Sequence, residues 1–208
     1  MMHHCDIAIV GGGMVGLTLA NALANSELRV VVISHEPLTR SLTEATELRV
    51  SAINRANSQQ FSSMNIWQRM PASRISAYTQ MDVWDKDSFG AIHFDAADGG
   101  HDALGHIVEN QVLVNALAEH LDAADNITVV QAGIQKVLDG QQETMIMLSN
   151  DSVVGCKLVV GADGANSTIR QKAGFPLTFR DYGHTAIVAT ITSDVPHNAT
   201  ARQVFTPT

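Results

Sequence analysis

The chain has 208 residues, 45% of them apolar and 16% charged, with 15 glycines and 5 prolines; this is close to the globular average and excludes collagen, coiled coil and wholesale disorder, while the length fits one large domain or two small ones. Lys and Arg number 13 against 21 Asp and Glu, a formal net charge of −8. That charge repels phosphate backbones and no local basic patch offsets it, so no nucleic-acid partner is expected. No apolar run approaches ~18 residues and no Lys or Arg precedes Ile7, so neither a membrane span nor a signal peptide is expected.

Asp6–Val10 is a short β-branched apolar run ended by Gly11-Gly12-Gly13 and reads as a strand buried on both faces. From Met14 to Asn25, Leu17, Ala20, Leu23 and Ala24 recur at helical spacing. Arg29–Ser34 is a second buried strand. Together these make a βαβ unit of about 30 residues, and parallel pairing of its strands follows. From Glu36 to Ala72 the pattern loosens into loops and one or two short helices. Tyr78–Phe94 reads as a hairpin, with Met81–Trp84 and Ala91–Phe94 alternating around the turn-rich Asp85–Gly90. Between Asn110 and Ala124, Leu113, Leu117 and Leu121 fall four apart and give an amphipathic helix. Ile127–Val130, Ile134–Leu138 and Thr144–Leu148 are short strands, and Leu158–Val160 is another buried one. Asn166 or Ser167 caps the short helix that follows, which Gly174 and Pro176 end. Ala186–Thr192 and Arg202–Thr206 read as strands separated by a turn at Pro196.

Cys5 and Cys156 belong to no C-x-x-C or Cys/His spacing and read as free thiols of a reducing cytoplasm. The histidines are scattered, and His101 and His106 lack the i, i+4 spacing that puts two ligands on one helical face, so no metal site is expected. G-x-S-x-G does not occur, which leaves a hydrolase nucleophile elbow without support.

Gly11-x-Gly13-x-x-Gly16 lies between a buried strand and a helix, the context that gives this spacing meaning as a dinucleotide-binding turn. Gly11 allows the tight turn, Gly13 lets the backbone approach a pyrophosphate, and Gly16 lets helix and strand pack closely, with the helix N-terminus facing the anion. The outline of a nucleoside-triphosphatase loop is also present, but Leu17 stands where its lysine must be. A carboxylate at the end of the second strand should meet the adenosine ribose; here Ser34 ends the strand and Glu36 follows. Either Glu36 curls back to the ribose or Ser34 makes a single hydroxyl contact.

Asp6–Gly16 together with Gly161-Ala162-Asp163-Gly164-Ala165-Asn166-Ser167-Thr168-Ile169-Arg170 resembles the two N-terminal fingerprints of the class A flavoprotein monooxygenases, the flavin-dependent aromatic hydroxylases. Leu48–Asn54, Val83–Gly90, Gly105–Asn110 and Ala201–Phe205 resemble the ubiquinone-biosynthesis branch, in particular the group of bacterial 2-polyprenylphenol 6-hydroxylases that act at C5 of the quinone ring. The resemblance covers nearly the whole chain but only about half of the family's length. The family's Gly-Asp segment, which holds the ribityl chain, is absent from these residues and is expected beyond Thr208. The family also usually has Glu where Ser34 stands, and many members have Arg where Asn110 stands.

The resemblance implies an α/β fold in which residues 1–77 and 104–175 build a discontinuous Rossmann-like FAD-binding domain, while 78–103 and 176–208 supply part of a β-sheet substrate domain. It implies that Gly11, Gly13 and Gly16 hold the FAD pyrophosphate and that Arg49 lies near the cofactor's phosphates or ribitol. Asp163 and Gly164 are expected near both the pyrophosphate and the entry path of NAD(P)H. The implied reaction hydroxylates the ring of a polyprenylphenol with NAD(P)H and dioxygen through a C4a-hydroperoxyflavin, so no catalytic side chain is assigned. The implied partners are the prenylated phenol and other ubiquinone-pathway proteins, in the cytoplasm or peripheral to the inner face of the membrane. Two other readings remain: an NAD-dependent dehydrogenase, for which Asp163-Gly164 has no use, and a truncated, non-catalytic assembly module.

Overall fold

A computed structural model describes residues 1–206. In chain order the elements are β1 (Met2–Val10), α1 (Met14–Leu23), β2 (Val30–Ser34), β3 (Val50–Asn54), α2 (Arg55–Ser63), β4 (Ile75–Tyr78), β5 (Gln80–Asp85), β6 (Ala91–Asp95), β7 (Gly105–Glu109) and α3 (Asn110–Leu121). There follow β8 (Ile127–Gln131), β9 (Ile134–Asp139), β10 (Thr144–Leu148), β11 (Val153–Gly161), α4 (Thr168–Lys172) and β12 (Thr200–Phe205). The chain divides into two compact units, Met1–Ser41 with Leu113–Ala186, and Leu42–Val112 with the segment that begins at Ile187.

The first unit is built on a six-stranded sheet of order β8-β2-β1-β11-β10-β9. Strands β8, β2, β1 and β11 are parallel, and β10 and β9 continue the sheet antiparallel. The expected βαβ unit is present: β1 pairs in parallel with β2, in register Ile7 to Val30 through Val10 to Ile33, and α1 makes the crossover. All five residues of β2 are buried, as a strand covered on both faces requires. Leu113, Leu117 and Leu121 are buried along α3, as their spacing predicts. α3 meets α1 through Asn21, whose amide donates to the Leu117 carbonyl at 3.0 Å while its oxygen lies 2.7 Å from His120 Nδ1.

One expectation for this unit needs correction. Strand β11 begins at Val153, and its buried part is Val154–Cys156, whereas Leu158 is exposed. The apolar run at 158–160 is thus the less covered half of a longer strand. The cysteines, remote in sequence and both free, face one another across β1 and β11 in the register Cys5 to Cys156. The Cys5 thiol is lowered, chiefly by its hydrogen bond with Cys156, whose own thiol is driven up by the same contact and by burial. Asp6, beside this pair, is held down at about 2 by Lys157, 2.7 Å away, and by the Arg29 backbone N–H.

The second unit holds two three-stranded sheets, β3-β7-β4 and β12-β5-β6. The hairpin at 78–94 is present as antiparallel β5 and β6, in register Gln80 to Asp95 through Trp84 to Ala91, and β12 adds to β5 in parallel. The stretch expected to be loops and short helices contains, besides α2 and two 3₁₀ turns, the strand β3, which pairs antiparallel with β7; neither strand carries a strong alternation. Their pairing is non-local and has no local hairpin signal. Ala186–Thr192, expected as a strand, has no regular structure, and its Ile187 and Ile191 are 90% and 83% exposed. The backbone groups of that segment find no strand partner among the described residues, and without a ladder a run rich in β-branched residues does not make a strand. Pro207 and Thr208, the end of the expected substrate-domain segment 176–208, lie outside the described residues.

Candidate functional site

Strands β1 and β11 end side by side, with Val10 opposite Gly161. The chain leaves both at the carboxyl ends of parallel strands, where open α/β sheets bind ligands. Two turns meet there. The Ala162 N–H donates to the Val10 carbonyl at 2.7 Å, and the Gly11 N–H to the Ile33 carbonyl at 2.8 Å. Gly11 has φ +120, and a Cβ on it would overlap the Ala162 carbonyl. Only glycine satisfies both conditions. A Cβ on Gly16 would likewise fall on the Gly11 carbonyl oxygen and lie 3.3 Å from Ala162 Cβ, so α1 packs here at backbone distance.

Gly13 differs from both. Its φ of −86 and ψ of −179 suit any residue, and a Cβ there would meet nothing within 4 Å. The chain's own packing therefore does not require glycine at 13. Gly13 is also the N-cap of α1, with no side-chain cap, and the first turn carries no acidic residue. The leading N–H groups of a ten-residue helix thus face open space with their positive dipole end uncompensated. A pyrophosphate fits this cradle in charge and in room.

Ser34 is buried at the end of β2, its hydroxyl donating to the Glu36 carbonyl at 2.6 Å. The Glu36 carboxylate is exposed, 3.3 Å from His35 Nδ1 and 3.7 Å from Arg40 Nη2. Gly12, which sequence reasoning passed over, packs where a Cβ would strike Ser34 and Leu38; the run of three glycines was the available signal. Asp163 turns its carboxylate onto α4, accepting from the Ser167 hydroxyl and from the N–H groups of Thr168 at 2.6 Å and Ile169 at 3.2 Å. Ser167 caps the same helix by accepting from the Arg170 N–H at 3.0 Å. Gly164 has φ +85 with nothing near it. The structure thus brings Gly11, Gly13, Gly16, Ser34, Asp163 and Gly164 to one end of the sheet in the first unit.

Arg49 belongs to the second unit and immediately precedes β3. Its side chain is exposed, with no hydrogen bond or ion pair among the described residues, and its carbonyl accepts from the Asn110 N–H at 2.9 Å. Close by is a pair with no sequence signature: the half-buried Arg74 and the buried Glu109, 35 positions apart, meet at 2.9 Å. On β7 His106 packs edge-on against Trp67 at 5.0 Å; its Nδ1 is buried with no partner among the described residues, and burial pushes its pKa below the usual histidine value.

Compared with known proteins, residues 4–205 match a family model described as an FAD binding domain. The chain belongs to this family. Among curated relatives, the FAD-binding domain is 35% identical over 206 residues to the 3-demethoxyubiquinol 3-hydroxylase of Escherichia coli, covering 97% of this chain and 52% of the relative. It is 33% identical to the ubiquinone hydroxylase UbiL of Rhodospirillum rubrum, covering 97% and 47%, and 31% identical to the ubiquinone biosynthesis monooxygenase COQ6 of Dictyostelium discoideum, covering 89% and 42%. The chain therefore spans about half the length of the curated relatives it matches. Among solved structures, PqsL of Pseudomonas aeruginosa superposes with a TM-score of 0.67 at 20% identity, covering 86% of this chain and 48% of that one. The p-nitrophenol 4-monooxygenase PnpA of Pseudomonas putida gives 0.65 at 19%, covering 83% and 44%. These likenesses establish the mixed α/β fold of the flavin monooxygenases.

Proposed function

We propose that the FAD-binding domain serves a flavoprotein monooxygenase that hydroxylates the aromatic ring of a polyprenylphenol in ubiquinone biosynthesis, with NAD(P)H and dioxygen as co-substrates. The observation that carries this reading is the pair of turns at the ends of β1 and β11, one open at Gly13 and the other bearing Asp163-Gly164. When bound, FAD supplies the electron transfer and the oxygen activation. The chain's own residues bind and orient: Gly11 and Gly16 set the turn, and Gly13 with the leading N–H groups of α1 receives the pyrophosphate. Ser34 or Glu36 meets the adenosine ribose, Arg49 the phosphates or ribitol, and Asp163 with Gly164 borders the pyrophosphate and the path of NAD(P)H. We assign 1–77 and 104–175 to cofactor binding, and 78–103 with 176–208 to part of the substrate sheet.

The substrate class is supported by the names of the relatives, which are ubiquinone-pathway hydroxylases. At the finer level we favour the C5 position of the ring; the Escherichia coli relative is named for a different hydroxylation, so the two substrates are to be assayed side by side. The prenyl tail implies pathway proteins as partners. We place the protein in the cytoplasm, with at most peripheral contact with the membrane; no helix among the described residues is long and apolar enough to cross one. The test is direct: purified protein should be yellow, or become so on titration with FAD, and release FAD on heating. Folded protein that stays colourless after titration refutes cofactor binding by this chain and favours an assembly role.

A further inference from the structure

We propose that the partly buried Arg74–Glu109 ion pair is a latch that fixes the backbone of residues 43–49 and so holds Arg49 ready for an anionic group of the cofactor. The proposal rests on the reading of Arg49 as a cofactor-binding residue. Glu109 is 3% exposed and Arg74 17%. Arg74 Nη1 donates to both Glu109 oxygens at 2.9 Å and to the Ala45 carbonyl at 3.2 Å, while Nη2 reaches the Thr43 and Glu44 carbonyls. Glu109 Oε2 in turn accepts from the Glu47 N–H at 2.9 Å. One ion pair thereby holds residues 43, 44, 45 and 47 of a segment with no helix or strand of its own.

The next residue of β7–α3 completes the arrangement. The Asn110 N–H donates to the Arg49 carbonyl at 2.9 Å, and the Ser51 hydroxyl donates to Asn110 Oδ1 at 2.7 Å. Arg49 is therefore held by a backbone tether at its own carbonyl and by another two residues before it, at Glu47, supplied by the consecutive residues 110 and 109, while its own guanidinium is exposed and unpartnered among the described residues. A fixed backbone under a free cation is a preorganised anion contact. Stability alone is a poor reason for the pair, because buried ion pairs are often no better than apolar replacements. A guanidinium fork is needed, since the three N–H donors of one ammonium are too few for a carboxylate and three carbonyls.

The experiment measures FAD affinity by flavin fluorescence for the full chain carrying Glu109→Gln, Arg74→Lys and Arg49→Ala, singly and combined, with tryptic cleavage after Arg49 in the absence of FAD as a second readout. Arg49→Ala should weaken FAD binding about 10–100-fold, the range for one contact to a charged group. Glu109→Gln or Arg74→Lys should weaken it about five- to tenfold and speed cleavage after Arg49, yet add less than about twofold in the Arg49→Ala background. Should Glu109→Gln fail to fold, Arg74→Lys, which keeps the charge, carries the test. Equal losses in both backgrounds, or unchanged affinity in both latch variants while Arg49→Ala weakens binding, overturn the latch and leave the Arg49 reading standing. Unchanged affinity in Arg49→Ala overturns that reading and the latch with it.

Discussion

Replacing Gly13 by valine separates binding from folding. The new side chain meets no protein atom within 4 Å of its Cβ, and φ −86 with ψ −179 is an extended conformation that a β-branched residue adopts freely. Two small terms act on stability: a poorer helix N-cap, costing about 1 kcal/mol, and a less flexible unfolded chain, which offsets about 0.4–1 kcal/mol. The net change should stay within about 1 kcal/mol, a Tm shift of roughly 2–4 °C for a chain of this size. Binding should respond differently, because the isopropyl group fills the space through which a pyrophosphate reaches the N–H groups of α1. Losing two hydrogen bonds to a charged group costs about 3–6 kcal/mol, or two to four orders of magnitude in Kd. The control is Gly16→Ala, whose Cβ overlaps a backbone carbonyl that Gly11, at φ +120, cannot move aside; overpacking of about 3 kcal/mol should lower Tm by roughly 6–12 °C. Flavin fluorescence titration and thermal unfolding read the two effects. Unchanged FAD affinity in Gly13→Val, or a Tm loss as large as that of Gly16→Ala, would refute the assignment of that space to the cofactor.

Ser167→Ala removes the N-cap of α4 and one partner of Asp163, and should cost about 1 kcal/mol in urea unfolding; an unchanged midpoint would show that α4 is not held by this cap. Asp6, depressed to about 2 by Lys157 and Arg29, stabilises the fold fully above the ordinary carboxylate pKa, and that contribution should fade as pH falls from about 4 toward 2; Asp6→Asn should flatten the stability profile over that window. His93 is raised chiefly by its 2.6 Å contact with Asp82, so its contribution is complete below the unfolded histidine value near 6.5 and is lost as pH rises through the raised folded one. NMR titration of His93 should show that rise, and Asp82→Asn should abolish it.

The local patterns determined much of the first unit. The β-branched runs at 6–10 and 30–34, the glycines between strand and helix, and the fourfold leucine spacing of α3 each satisfy a rule of backbone geometry or amphipathicity that needs no distant partner. The helix stop at Gly174 and the cap at Ser167 were legible for the same reason. Only the tertiary structure decided what depends on pairing across long separations. It set β3 against β7, brought Cys5 opposite Cys156, joined Arg74 to Glu109, and left Ala186–Thr192 irregular although its sequence is rich in β-branched residues. It also divided the glycines by role: Gly11 and Gly16 are required by the chain's own contacts, whereas Gly13 opens onto room that the protein does not fill. A glycine pattern states where side chains are absent; only the surrounding atoms show whether backbone or a ligand is to take the space.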